Sequence, residues 1–197
     1  MLSFYDFAVA ERCERTTSAL IEGRTLLERW QTLEAEGPNR WGRRAQRAAD
    51  WLTEANVARV LDLGCGTMTL ERSLPDFIRY LPCDVVRRDD RTILCDLNRN
   101  LPPKVEADAV ACLGVLEYLL NPEQLLIDLA GRHRVCVMSY NTTNKLPDLA
   151  TRRSHAWFND FSRSDLEGLF ERAGWCVDRA ERFGPTQMLW LLRSPPR

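Results

Sequence analysis

The stretch "ARVLDLGCGTMTLERSLP", residues 58–75, decides the fold. An apolar run, Val60-Leu61-Asp62-Leu63, stops at Gly64-Cys65-Gly66, and a segment with helical spacing follows over 67–74. A short apolar run bounded by glycines reads as a buried strand. Glycines at its end permit a tight turn and close backbone approach to a ligand. Strand, tight turn and helix start together form an arrangement that cradles a nucleotide. A dinucleotide fingerprint would read GxGxxG, but Thr69 holds the third glycine's place. Asp62, inside the strand, is a second departure. A pyrophosphate-binding turn wants no carboxylate nearby, because like charges repel.

Working outward, further short apolar runs predict strands near 77–84, 92–96, 107–113, 134–140, 175–183 and 186–193, besides 59–63. Helical patterns fall near 67–74, 121–130 and 163–173. Asn121-Pro122 is a helix start, with Asn as N-cap and Pro at the first helical position. Ser164 is positioned to cap the helix that ends at Gly174. Strands alternating with helices imply an α/β fold with a mostly parallel, Rossmann-like seven-stranded sheet. The last two strands are separated only by Gly184-Pro185-Thr186, which makes a hairpin and an antiparallel last strand. Only Val85 to Arg91 separates Asp84 from Thr92. That is too short for a helical crossover, so the helix after strand two is missing and an edge is left for the N-terminal helices or a second subunit to cover.

Residues 1–55 read as an N-terminal helical cap on a core spanning 56–194, the two forming one domain over 1–197. In "TSALIEGRTLLERWQTLEAEG", Leu20, Leu27 and Trp30 fall near one face before Gly37-Pro38 breaks the helix. "RWGRRAQRAADWLTEA" gives a second helix with Ala45, Ala48, Ala49 and Leu52 on its apolar face. The pair either packs against the sheet or closes over the site.

The 197 residues carry a net charge of −1, whereas a nucleic-acid scaffold would show a strong basic excess. No run of about 18 apolar residues predicts a membrane span, and the N-terminus lacks a secretory leader pattern. Seven cysteines, with no CxxC pair, and two histidines give no support for a metal site or disulfides. The expectation is a reduced, cytoplasmic protein.

The segment "VLDLGCG" resembles motif I of the Rossmann-like, class I S-adenosylmethionine (SAM) methyltransferases. The resemblance continues through Asp84, which stands about 20 residues past the loop where a ribose-binding acid is expected. It extends to "LCDLNRNLP" and to "EADAVACLGVLEYLLNPEQLLIDLA", similar to the family's "FD-V---VLEH" followed by "-P---L". It implies a SAM cofactor held by Asp62, Gly64, Cys65, Gly66, Asp84 and Leu113, with Asp96 and Leu97 lining the adenine. SAM carries no phosphate and is cationic at sulfur, which suits an acidic first turn. Met68 stands where many members have a third loop glycine. "CDLNRNLP", "NPEQLL" and "HRVCVMSYN" look like the MetW-type proteins and related small methyltransferases, although "SYNTTNKLPDLATRRSHAWFNDFS" replaces the MetW-type tail.

In parallel sheets the ligand lies at the carboxyl ends of the strands, which selects Asp62, Asp84, Asp96, Leu113, Gly114, Glu117, Tyr140 and Asn141. Glu117-Tyr118 stands where many relatives have Glu-His. Glu117 is the candidate base, or a hydrogen-bond acceptor for an amine or hydroxyl, against a plain helix-start residue. His155 is a second candidate base, against a surface histidine. Tyr5, Tyr140, Asn141 and Arg152 are the candidates for binding the acceptor, a small molecule or a glycan or lipid precursor methylated on O or N. The alternative is a MetW-like module that acts chiefly by binding a partner enzyme. An NAD-dependent oxidoreductase is disfavoured by Thr69 and Asp62.

Overall fold

The computed structural model describes residues 3–31 and 38–195, with backbone alone over 38–40. The expected break at Gly37 lies outside the described residues. Helices α1 (Val9–Ile21), α2 (Glu28–Gln31) and α3 (Pro38–Glu54) precede β1 (Arg59–Leu63). Then come β2 (Arg79–Asp84), β3 (Ile93–Leu94), β4 (Ala109–Leu113), α4 (Pro122–Ala130) and β5 (Val135–Asn141). Helices α5 (Leu149–Ser154) and α6 (Arg163–Arg172) lead to β6 (Cys176–Phe183) and β7 (Gln187–Arg193).

One seven-stranded sheet forms, in the order β3-β2-β1-β4-β5-β7-β6. The first five strands run parallel; β7 is antiparallel to both β5 and β6. This is the Rossmann-like α/β sheet with an antiparallel last strand that the spacing predicts. The order reverses direction between β1 and β4, which opens a crevice at their carboxyl ends.

Residues 85–92, all described, contain no helix, so β2 passes to β3 by a bare loop. Three expectations are corrected. The helix over 67–74 is a turn, with only a 3-10 segment at Glu71–Ser73, because Met68 sits at φ +54°, outside the right-handed helical region. The first helix is Val9–Ile21 and stops before Gly23 (φ +63°), so Leu27 and Trp30 lie beyond it. The cap of α6 is Ser162, whose hydroxyl accepts from the Asp165 amide while Asp165 accepts from the Ser162 amide. Asn121 caps α4 as expected.

Strand alternation sorts the two faces. Leu61, Leu63, Val110, Cys112, Cys136, Met138 and Tyr140 pack with α4 and α6 residues on one face. Val60, Ala109, Ala111, Val135 and Val137 pack under Ala48, Ala49 and Leu52 of α3 on the other. Asp62, Leu113 and Asn141 continue this second set, so they reach the strand ends on the α3 face.

Asp108 ties the two central strands together: its Oδ2 accepts from the Ala58 and Arg59 amides at 2.9 Å each. Removing a charged acceptor of two amides is expected to cost about 1.5–3 kcal/mol. Urea unfolding of Asp108→Ala should show that loss, and Asp108→Asn should recover part of it.

Candidate active site

A cavity of about 750 Å³ opens at the carboxyl ends of β1, β2 and β4. Its floor is the glycine loop. The Gly64 and Cys65 amides donate to the Cys83 carbonyl at 2.8 and 3.0 Å. The Gly66 amide donates to Asp84 Oδ2 at 2.8 Å. Gly64 has φ +69°, and a Cβ there would lie 2.7 Å from Val115 Cγ2, so both conformation and space demand glycine. Met68 takes the left-handed conformation in which a glycine would be unstrained.

Three carboxylates line this floor. Asp62 accepts from the Tyr80 hydroxyl at 2.7 Å. Burial pushes its pKa up to about 7; the Tyr80 bond and the Arg44 charge work against that, and Asp84 and Glu71 add to it. Asp84 Oδ1 accepts from the Val86 amide at 3.0 Å and faces the Arg88 guanidinium at 3.3 Å. A carboxylate has about four acceptor sites, and the fourth donor to Asp84 is the weak Cys65 thiol, 4.0 Å from Oδ2. Asp96 Oδ1 accepts from Thr25 Oγ1 at 2.5 Å and from the Asn98 amide at 3.0 Å.

The opposite wall carries Glu117, which is fully buried. Its Oε1 accepts from the Asn141 amide at 2.9 Å and from Asn141 Nδ2 at 3.0 Å. Thr186 Oγ1 donates to Asn141 Oδ1 at 2.8 Å, which fixes the amide's orientation. Glu117 Oε2 has no hydrogen-bond partner. Burial raises the Glu117 pKa, and the Asn141 bonds and Arg44 moderate the rise.

Aromatic side chains complete the wall. Trp30 meets Tyr118 edge-on at 4.5 Å, and His155 stacks on Trp157 at 5.1 Å. Trp157 Nε1 donates to Tyr118 Oη at 3.1 Å, and Tyr5 Oη lies 3.4 Å from His155 Nδ1. The buried Arg29 guanidinium sits over the Tyr5 and Trp30 rings at 4.5 and 4.6 Å.

The cavity therefore gathers Tyr5, Asp62, Gly64, Cys65, Gly66, Asp84, Asp96, Leu97, Leu113, Glu117, Asn141 and His155. Tyr140 and Arg152 are not on its lining. Tyr140 points to the α4/α6 face, opposite to Asn141, as strand alternation requires. Arg152 is fully buried and already occupied: Nε donates to Asp160 Oδ1 at 2.7 Å, Nη1 to the Asn141 carbonyl at 2.8 Å, and Nη2 to Tyr140 Oη at 2.9 Å. It braces the loop after β5 and does not face the cavity.

Sequence reasoning missed Thr25, Arg29 and Arg44. A signal existed for one of them: Arg44 falls on the stripe 41, 44, 45, 48, 52 of α3. A charge on an apolar helix stripe is a sign that the stripe meets a polar site.

No protein-family profile and no curated protein matches the chain. Solved structures do resemble it. The methyltransferase domain of bacterial CtHen1-C is 18% identical, with a TM-score of 0.64 over 80% of this chain and 100% of that one. Mitomycin 7-O-methyltransferase is 17% identical, with a TM-score of 0.60 over 97% of this chain and 70% of that one. Human N-acetylserotonin methyltransferase in complex with SAM is 15% identical, with a TM-score of 0.59 over 96% and 57%. At such identities the likeness establishes the fold: the chain has the fold of the class I methyltransferases. Among the described residues, no helix is long and apolar enough to cross a membrane.

The Arg152 network predicts a structural phenotype. Arg152→Ala leaves Asp160 and Tyr140 without their central donor and should lower unfolding stability by about 3 kcal/mol. The exposed pair Arg163–Glu167 is the control; Arg163→Ala should cost less than about 1 kcal/mol in the same denaturant titration.

Proposed function

We propose that this chain is a SAM-dependent methyltransferase that modifies an oxygen or nitrogen of a small molecule or of a glycan or lipid precursor. One observation carries the reading: the glycine loop is built against phosphate. Its Gly66 amide is spent on the Asp84 carboxylate. The segment 67–74 holds no α-helix whose N-terminus could attract an anion. Asp62 and Asp84 add negative charge where a pyrophosphate would lie. A nucleoside without phosphate and with a cationic end suits the same surface.

The residues present fit SAM. Asp84 can accept from ribose hydroxyls in place of the weak Cys65 thiol contact, and Asp96 and Leu97 stand beside it for the base. Asp62 offers a carboxylate to the amino-acid end. When bound, SAM would supply an electrophilic methyl group, which would pass to an acceptor lone pair as its C–S bond breaks and S-adenosylhomocysteine leaves. Glu117 then serves the acceptor: its open Oε2 takes the hydrogen bond, and finally the proton, of an O–H or N–H. Its raised pKa makes it a better proton acceptor than an exposed carboxylate. His155, held between Tyr5 and Trp157, is the second group placed to accept a proton. Residues 1–55 act as a cap on the core 56–194, within one domain. Tyr5, Arg29, Trp30 and Trp41 give the acceptor a largely aromatic roof that excludes water. The mitomycin and N-acetylserotonin enzymes share this fold while acting on small molecules, which supports that acceptor class.

Calorimetry tests the cofactor. S-adenosylhomocysteine (SAH) should bind and NAD should not. Asp84→Ala should weaken SAH about 10- to 100-fold, as loss of a charged acceptor implies. NAD binding without SAH binding would overturn the reading.

The titration of Asp62 gives a further expectation. The ammonium of SAH needs Asp62 ionised, but burial, with the Asp84 and Glu71 charges, holds its pKa up to about 7 against the Tyr80 bond and the Arg44 charge. Below that pH the bound proton must leave before the ligand enters. SAH affinity should therefore fall as pH drops from 8 to 5.5, approaching tenfold per unit. Asp62→Asn should bind more weakly at pH 8 and show a flatter slope.

A further inference from the structure

Arg29 is only 5% exposed and lines the cavity, and among the described residues no carboxylate pairs with it. Its chain neighbour Glu28 faces Arg15 at 3.9 Å, and Arg15 also holds Glu11 at 2.9 Å. Among the described residues nothing accepts a hydrogen bond from the Arg29 guanidinium, and its Nε is buried without a partner. What the cation has instead is two aromatic rings, Tyr5 at 4.5 Å and Trp30 at 4.6 Å. Ring contact offsets part of the cost of burying a charge. It takes up none of the N–H donors, which point outward in the guanidinium plane. A buried cation whose donors stay open beside a cavity is costly unless a ligand fills the fork. Arg12 strengthens the positive field here. Its guanidinium lies 5.1 Å from the same Tyr5 ring, and its Nε is also buried without a partner. Arg12 is not on the cavity lining, so the contact with a ligand falls to Arg29.

We propose that Arg29 binds a carboxylate on the acceptor, and that the acceptor is a small aromatic acid methylated at an O–H or N–H of its ring substituents. The guanidinium fork matches a carboxylate with two parallel N–H···O bonds, which a lysine cannot reproduce. One contacting arginine at this wall suits the single charge of a carboxylate; a phosphate, with up to two charges, would call for a second. Trp30 touches Tyr118, and Tyr118 accepts from Trp157, so the rings around Arg29 form one continuous aromatic wall on which a flat ring can stack. His155 stands at the same wall, its ring centroid 6.3 Å from that of Tyr5, the ring that Arg29 covers. One aromatic acid can therefore rest its carboxylate on Arg29 and turn its hydroxyl or amine towards His155. This inference rests on the methyltransferase reading and names the acceptor class within it.

The test is calorimetry on the chain saturated with SAH, using three probes: 4-hydroxybenzoate, its neutral counterpart 4-hydroxybenzyl alcohol, and phenyl phosphate. The wild type should bind the acid about 10- to 100-fold more tightly than the alcohol, in line with a charge-assisted pair. Phenyl phosphate should bind no more tightly than the acid. Arg29→Gln should lose the preference for the acid over the alcohol. Arg29→Lys should restore only part of it, because an ammonium keeps the charge without the fork. Thermal melting identifies any variant that fails to fold, and the wild-type ratio of acid to alcohol stands as a test that needs no variant. The inference is overturned if the wild type binds acid and alcohol alike, if it binds neither, or if phenyl phosphate binds best. It is also overturned if Arg29→Gln keeps the wild-type ratio, including by weakening both ligands equally, which would make Arg29 structural. Failure of the wild type to bind SAH would remove the SAM reading itself, a distinct result.

Discussion

The hydrogen bond from the Gly66 amide to Asp84 Oδ2 sets the character of the site. It joins the end of β2 to the loop after β1, two strands that already pair in register through Leu63 and Cys83. The Gly64 and Cys65 amides are taken by the Cys83 carbonyl in the same corner. A loop whose amides all point into the sheet's own carbonyl and carboxylate has few left for an anion. The loop in phosphate-binding proteins works the other way, with free amides and a helix dipole aimed at the ligand. Here the glycines serve close packing, as Gly64 against Val115 shows. What the loop presents upward is carboxylate.

That acidic floor is expensive, and the structure manages it locally. Asp62 is buried, and a single neutral donor, Tyr80, reaches it. Asp84 has two amides and Arg88. Glu117 has Asn141 on one oxygen and nothing on the other. A protein selected for stability alone would have no reason to keep these groups dry. Polar groups that are buried with unmet capacity mark sites where folding energy has been traded for function. These carboxylates gather at the strand ends, and apolar clusters pack on both faces of the sheet below them.

How much of this was legible in the sequence follows from periodicity. The strands could be placed because most are short apolar runs ended by a turn residue, although β6 carries Asp178, Arg179, Glu181 and Arg182. The missing helix between β2 and β3 was legible from chain length alone. The turn at 67–74 was not, because nothing local announces that Met68 adopts a left-handed conformation; the helical spacing of its neighbours pointed the other way. Tyr140 and Asn141 could have been separated. Adjacent strand residues face opposite sides, so only one of the two can meet the cavity. Arg152 was misread for a different reason: its partners, Asp160 and the Asn141 carbonyl, come together only when the loop after β5 folds back. Thr25 and Arg29 were invisible because their roles depend on how α1 and α2 sit on the sheet. That packing leaves no mark in local pattern.

The N-terminal segment is attached unevenly, and this bears on how the site admits a ligand. Helix α1 is anchored: Phe4, Ala19 and Leu26 form a small apolar cluster with Ala156 and Phe158, and the Thr16 hydroxyl donates to the Arg153 carbonyl. The stretch over the cavity is held differently. Thr25 meets Asp96 and Asn98, and the Trp30 carbonyl accepts from Arg88, all single hydrogen bonds at the cavity's rim. Such bonds exchange with water at small net cost, about 0.5–1.5 kcal/mol each, whereas the apolar anchor does not. Residues 27–31 lie beyond the last member of that anchor, Leu26, and meet the cavity wall through Trp30 on Tyr118. One of the rim partners, Asp96, also lines the cavity floor, and another, Arg88, contacts Asp84 of that floor. The floor carboxylates Asp96 and Asp84 are thus tied to Thr25 directly and to the Trp30 carbonyl through Arg88.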